Sequence, residues 1–303
     1  MAGFVKAMFQ LGLALLMAPL LVGIVNRTKA IAAGRRGQPL LQAYFDIAKL
    51  LGKAPVYSRT TTWVFRAGPT VGLAAVATSL ALLPWTGIRA LVSFEGDLVL
   101  FAGLMGIGRF LTIIAALDTG SSFEGMGASR EAWFASLAEP ALLLGMAGLA
   151  RAARSLSLSG ILAGSGLGGG NGAALLLATG AIFVVFLAEN ARIPVDDPNT
   201  HLELTMIHEV MVLDHSGVDL AYIQYGAALK LWVLGGLFVS LLIPHGGHWA
   251  LDAGTGLLGI ACLGVATGIV ESFMARLPLV RVPQLLVAAI AMSALSLALA
   301  LAR

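Results

Sequence analysis

Cysteine occurs once in 303 residues, at Cys262. A single thiol excludes an intramolecular disulfide. It also excludes an iron–sulfur cluster ligated by this chain alone, which needs several thiolates. The residues around Cys262 are apolar, so it reads as inert packing. Charge is scarce too: 12% of residues are Asp, Glu, Lys or Arg, against about 25% in soluble domains. With 58% hydrophobic residues and a mean hydropathy of +0.89, this excludes an ordinary soluble enzyme, a disordered chain and a nucleic-acid module. The net charge of +3 and isoelectric point near 9.2 belong instead to basic loops that flank a membrane. No Walker A, G-x-S-x-G or H-E-x-x-H sequence is present, which removes the corresponding nucleotide, hydrolase and zinc chemistries.

What is present is a succession of long apolar runs. A helix crosses the hydrocarbon core with about 20 such residues. Eight runs qualify: 4–25, 67–85, 98–117, 140–154, 173–190, 220–243, 256–273 and 285–302. The first is long enough to span and lacks a convincing cleavage site, so it reads as a span rather than a signal peptide. The halves show no repeat. Segment 26–66 holds eight of the 19 basic residues. With that segment inside, alternation places twelve bases inside and five outside (Lys6, Arg89, Arg151, Arg154 and Arg303), which puts both termini outside. The expected architecture is all-α: one integral membrane domain over 1–303, with about eight transmembrane helices and a cytoplasmic amphipathic helix.

That extra helix is expected at about 39–53. Leu40, Leu41, Tyr44, Ile47, Ala48 and Leu51 share one face, and Gln42, Asp46, Lys49 and Lys53 the other. Pro39 suits its first turn and Gly52 its end. It is too short and polar to span, and it lies on lipid or packs on a partner. The Gly-rich stretch 160–172 contains Gly164, Gly166 and Gly169 in G-x-G-x-x-G spacing, but no strand precedes it, so it reads as a flexible outside loop. Gly264 and Gly268 mark a close helix–helix contact.

Charges within the spans carry the chemistry. Arg109 and Lys230 fall near mid-span, where an unpaired cation is costly, so each needs an internal acid or a wet cavity. Glu139, Glu189 and Glu271 fall near the inner ends of spans four, five and seven, at one depth on three helices. They are expected to approach one polar cavity; three solvated helix ends are the bland alternative. Loop 191–219 is acidic, with Asp196, Asp197, Glu203, Glu209, Asp214 and Asp219 against Arg192 alone. Pro194 and Pro198 break the helix there. His201 and His208 are seven residues apart, or about 10.5 Å along a helix, too far for one metal ion. An ion path or a docking surface fits better.

At this loop a resemblance becomes specific. Ala188-Glu189-Asn190-Ala191-Arg192-Ile193-Pro194-Val195-Asp196-Asp197-Pro198, then Glu203-Leu204, resembles the signature of the subunit 1/H-type family of respiratory complex I. That family includes the membrane anchors of formate hydrogenlyase, hydrogenase-4 and other energy-converting hydrogenases. Arg35-Arg36-Gly37-Gln38-Pro39-Leu40-Leu41-Gln42, with Asp46 and Lys49-Leu50-Leu51, resembles the family's first cytoplasmic loop. Leu117-Asp118-Thr119-Gly120-Ser121-Ser122-Phe123, Gly127-Ala128-Ser129-Arg130-Glu131 and Glu139-Pro140 resemble the hydrogenlyase branch closely. The likeness covers nearly the whole chain. In place of the further acids that complex I members carry after the second proline, this chain has Asn199 and His201.

The resemblance implies a membrane-anchor and ion-coupling subunit of a hydrogenase-type oxidoreductase in a bacterial or archaeal cytoplasmic membrane. Its partners would be a hydrogenase-like large subunit, an iron–sulfur small subunit and antiporter-like membrane subunits. Iron–sulfur clusters, and any nickel–iron site, would sit in those partners, with no catalytic residue, metal or cofactor on this chain and quinone use left open. Glu139, Glu189, Arg192, Asp196 and Glu203 match family polar positions. Asp197, Lys230 and Glu271 join them as ion-path residues. Arg35, Arg36, Asp46, Lys49 and Glu209 are the expected docking residues. Competing readings are a quinone-site subunit of complex I itself and a solitary secondary transporter.

Overall fold

The computed structural model describes residues 2–85, 87–164, 172–196, 206–243 and 248–302. The described residues form ten α-helices: α1 (Ala2–Ala32), α2 (Gln42–Leu51), α3 (Trp63–Leu82), α4 (Asp97–Asp118), α5 (Ser122–Ala153), α6 (Leu158–Gly164), α7 (Gly172–Glu189), α8 (Gly217–Leu242), α9 (Trp249–Phe273) and α10 (Val282–Leu301). All but α2 and α6 are long and apolar enough to cross a bilayer, eight in total. The expected all-helical membrane architecture is therefore observed. Hydrocarbon cannot hydrogen-bond backbone groups, so a crossing segment must satisfy them internally.

Proline interrupts that rule at Pro19, Pro69 and Pro140 within α1, α3 and α5. A helical proline frees the carbonyl four residues earlier. For Pro19 that carbonyl is Leu15, and the Tyr225 hydroxyl of α8 donates to it at 2.8 Å. One residue on, the Tyr44 hydroxyl of α2 donates to the Leu16 carbonyl at 2.5 Å. The break in α1 thereby ties α1, α2 and α8 together.

The bundle has two distinct ends. At one lie the end of α1, α2, the start of α3, the end of α4, the start of α5, the ends of α7 and α9 and the start of α10. Asp118 of α4 accepts from Thr62 N at 2.7 Å and Phe65 N at 3.3 Å, so the end of α4 caps α3. Gly217 adopts φ +55°, and a Cβ there would lie 2.6 Å from the carbonyls of Lys53 and Ala54, so only glycine lets α8 start against the α2–α3 linker. At the opposite end, buried Asp97 of α4 accepts from Leu158 N at 2.6 Å and Ser157 Oγ at 3.0 Å, fastening α6. The first residues of α1 and the last of α10 lie at this opposite end.

Several boundaries depart from expectation. α5 begins at Ser122, not near 140, so Glu139 sits mid-helix instead of opening a span. The polar first half of α5 hides it from a hydropathy window, and its buried face there includes Glu124 and Glu131. α6 forms where the glycine pattern predicts a loop; Gly166 and Gly169 lie outside the described residues. α2 runs Gln42–Leu51, so Pro39 precedes it, and one face packs on α1 and α8 while Leu41 and Phe45 stay exposed. Gly264 and Gly268 do mark a close contact: a Cβ at Gly268 would lie 2.9 Å from the Val25 carbonyl of α1. Cys262 points outward from α9 and is not packed.

Candidate functional site

A network of charged side chains joins helices around Arg109. This residue is in the middle of α4 and is only 8% exposed. Its Nη1 meets Glu139 Oε1 at 2.8 Å, Nη2 meets Glu189 Oε1 at 2.5 Å, and Nε lies 3.4 Å from Glu131 Oε1. Three acids from α5 and α7 therefore converge on one guanidinium, whose planar fork suits several carboxylates at once. Lys230 of α8 reaches the other oxygen of Glu189 at 2.8 Å. Leu229 and Leu231 beside it offer no charge; the partner comes from another helix.

The network continues into the segment after α7. His208 Nε2 lies 3.2 Å from Glu131 Oε2, and its Nδ1 lies 3.5 Å from Asp196 Oδ2. Arg276, in the α9–α10 connection, meets Asp196 Oδ1 at 2.8 Å. Burial works against charge on His208, but Glu131 and Asp196 prevail and raise its pKa to about 10. Burial likewise opposes ionisation of Asp196, yet His208 and Arg276 hold its carboxyl below the usual range. Asp196 also accepts from the backbone N–H of Ile207 and His208 at 3.2 and 3.1 Å. The segment turns through Glu209–Val212 and presses on α5 at Gly127, where a Cβ would overlap Val210 Cγ1 and stand 2.9 Å from the Ile207 carbonyl oxygen. His215 stacks on Phe65 with ring centroids 3.9 Å apart, and burial lowers its pKa to about 4.

Beside the network lies a cavity of about 440 Å³. Arg109, Glu131, Glu189, Arg192, His208 and Lys230 give it a charged wall. Val22, Leu73, Val76 and Met105 give it an apolar one, and Gly72 and Gly108 line it where α3 and α4 approach closely. Exposed Asp46 and Glu209 line it towards the α2 end.

The expected ion-path residues divide into two groups. Glu139, Glu189 and Lys230 join through Arg109, with Asp196 linked through His208 and Glu131. Glu271 is not brought to the other two acids: it pairs with Lys29 of α1 at 2.8 Å and Arg192 at 3.3 Å. Arg192 pairs with Glu271 and also lines the cavity beside the Arg109 network. Asp197 and Glu203 lie outside the described residues, as does His201. Among the described residues no set of three His, Cys, Asp or Glu is arranged to hold a metal ion. Of the docking residues, Arg35, Arg36, Asp46, Lys49 and Glu209 are all exposed at the α2 end.

Comparison with known proteins decides the family. A family model described as NADH dehydrogenase matches residues 5–302. The chain belongs to the NADH dehydrogenase family, of the complex I subunit 1/H type. Among its relatives, formate hydrogenlyase subunit 4 of Escherichia coli is 34% identical over 89% of each chain. Hydrogenase-4 component C of the same organism is 31% identical over 89% of this chain and 87% of its own. The H-type subunit of NADH-quinone oxidoreductase from Rubrobacter xylanophilus is 30% identical over 71% of this chain and 64% of its own. A chain of the membrane-bound sulfane sulfur reductase, an archaeal respiratory membrane complex, has the same fold, with a TM-score of 0.84 at 21% identity over 99% of this chain and 100% of its own.

Within this family member, sequence reasoning misses Glu131, His208 and Arg276 as parts of the site. Glu131 closes the Gly127–Glu131 motif and precedes Glu139 on one helix, and that spacing becomes a signal once α5 is known to begin at Ser122. His208 fails as a metal ligand in the sequence, although its neighbouring acids also suit an ion pair. Arg276 stands out there only as one more inside base.

Proposed function

We propose that this chain is the membrane-anchor and ion-coupling subunit of a hydrogenase-type oxidoreductase in a bacterial or archaeal cytoplasmic membrane. The observation that carries this reading is the buried charge row Glu139–Arg109–Glu189–Lys230 between the spanning helices, linked through Glu131, His208 and Asp196 to the end that carries α2. Intramembrane charges are costly and are retained where ions or protons move. The row supplies alternating acids and cations within hydrogen-bond reach, bordered by a cavity that can hold water. The α2 end, with Arg35, Arg36, Asp46, Lys49 and Glu209 exposed, faces the cytoplasm and seats a soluble arm. In that arm a hydrogenase-like large subunit and an iron–sulfur small subunit hold the clusters and any nickel–iron site. Antiporter-like membrane subunits continue the path. Resemblance to the hydrogenlyase and hydrogenase-4 subunits supports this assembly.

Purification of the intact complex through a tag on this chain tests the anchor role. Co-purification of a soluble iron–sulfur subunit and a hydrogenase-like subunit, both released by stripping the membrane surface, is the expected outcome. Recovery of the chain alone from gently solubilised membranes would overturn it. A quinone-site subunit is the second reading, favoured by the cavity with apolar and charged walls. Quinone-dependent turnover of the purified complex would support it.

A further inference from the structure

Two arginines without partners stand at the end of the bundle opposite α2. Arg151 lies in the last turn of α5, and Arg154 follows as its cap. Both are exposed, and among the described residues no hydrogen bond or ion pair reaches either guanidinium. A helix C-terminus attracts basic side chains, but Arg154 sits there at a cost. Its φ is 52°, in the left-handed region. Glycine is the usual residue at that place after a helix, and a side chain there is strained. Such outliers gather at ligand clamps.

The level of this corner in the bilayer follows from α4. Its 22 residues rise about 33 Å, close to the ~30 Å of the hydrocarbon core, so its first residue, Asp97, marks a membrane boundary. Asp97 accepts from Leu158 N at 2.6 Å and Glu95 Oε2 from Leu156 N at 3.3 Å, which holds the segment after Arg154 at that boundary. Ser93 Oγ lies 3.2 Å from Ser157 Oγ, so segments 92–95 and 155–158 are neighbours. Their shared surface is apolar: Val92, Phe94 and Leu156 are 47%, 45% and 58% exposed. Attraction to the helix end accounts for a cation here; it does not account for these apolar side chains beside it. Both nearby acids already hold donors, Glu95 from Leu156 N and buried Asp97 from Leu158 N and Ser157 Oγ. The guanidiniums are left to seek an acceptor from outside the chain.

We propose that this corner binds an anionic phospholipid of the leaflet at the α6 end. The phosphodiester accepts from Arg151 and Arg154, and the acyl chains descend past Leu156 and Phe94. Chemistry selects this ligand. The guanidinium fork matches a pair of phosphate oxygens, and exposed apolar side chains at the boundary call for acyl chains, which a free phosphate lacks. A zwitterionic headgroup brings its own cation to the arginines, so an anionic one is preferred. In the orientation proposed above this is the outer leaflet. The binding rests on neither the ion path nor the identity of the partner subunits.

The test uses the intact complex in phosphatidylcholine nanodiscs that contain a trace of photoreactive lipid. The probe is phosphatidylglycerol or phosphatidylcholine, each with a diazirine near the glycerol end of one acyl chain, and adducts on 92–95 and 155–158 are counted by mass spectrometry. The phosphatidylglycerol probe should label these segments at least about fivefold more, the preference that one basic residue gains near an anionic surface. Arg151→Gln combined with Arg154→Gly should bring the two probes level. Glycine suits the turn, so that variant should be as abundant as the parent, and Arg154→Gly alone should keep part of the preference. Millimolar glycerol phosphate should not compete. Equal labelling by the two probes in the parent, as ordinary boundary lipid gives, would overturn the proposal. So would an unchanged preference in the double variant, or suppression by glycerol phosphate, which would mark a site for a free phosphate.

Discussion

Replacing Lys230 with methionine keeps the length of the side chain and removes its charge. Glu189 then keeps Arg109 on one oxygen and loses the ammonium 2.8 Å from the other. Lys230 and Glu189 have side-chain exposures of 18% and 6%, so bulk solvent does not reach the pair and only water inside the cavity could partly replace the lost partner. Breaking a buried ion pair by removing one member costs about 3–5 kcal/mol. The retained Arg109 contact places Lys230→Met at the lower end, about 3 kcal/mol. Removing the acid as well changes the sum. In Lys230→Met combined with Glu189→Gln no buried charge is stranded at this pair, and Arg109 keeps Glu131 and Glu139. The double variant should therefore be more stable than the sum of the two single ones predicts, by about 1–3 kcal/mol. Unfolding in mixed micelles titrated with dodecyl sulfate reads the three stabilities, and abundance in membranes provides a second measure. Additive single effects would refute the pairing. A Lys230→Met protein as stable as the parent would show that the site is not a buried, charged one.

The segment 206–216 should be held most firmly near pH 6.5. His208 has its pKa raised from 6.5 to about 10, so its contribution is complete below pH 6.5 and is lost as pH climbs towards 10; His215 is lowered to about 4, so its contribution is complete above pH 6.5 and is lost as pH falls towards 4. Hydrogen exchange of a peptide covering the segment, corrected for intrinsic rates, should pass through a minimum, and His208→Gln should remove the alkaline limb; a monotonic profile would refute this. Gly127→Ala should loosen the same segment at every pH, because the added methyl overlaps Val210 and meets the Ile207 carbonyl at 2.9 Å; unchanged exchange would show that the contact is not close. Cysteines placed at Arg35 or Glu209 in a Cys262→Ser background should resist an impermeant reagent added to intact cells and react after lysis. Labelling from outside would reverse the orientation.

The spans are legible in the sequence because hydropathy accumulates over about 20 residues. α5 is the exception: its first half mixes Glu124, Arg130 and Glu131 with short residues, and their partners in the fold (the Asp214 N–H, the Met206 carbonyl, and Arg109 with His208) are invisible to a window. Mid-span Arg109 and Lys230 are recognisable because each breaks an apolar run. Their shared partner is not, because Glu189 comes from a helix distant in sequence. In the sequence Glu139, Glu189 and Glu271 read as three span ends at one depth, which suggests one cavity, but Glu139 lies mid-helix and rotation about each helix axis decides the neighbours. Glu271 turns to Lys29 and Arg192 instead. The family is legible from motif order across the chain, and the family comparison agrees with it.

In the proposed coupling, redox chemistry in the complex drives ions through the row around Arg109. The direct measurement is the number of ions moved per electron transferred by the complex in sealed vesicles, for the parent and for Glu189→Gln at equal subunit abundance. The expected result is electron transfer close to the parent's and an ion-to-electron ratio lower by about an order of magnitude. An unchanged ratio in Glu189→Gln would contradict the claim.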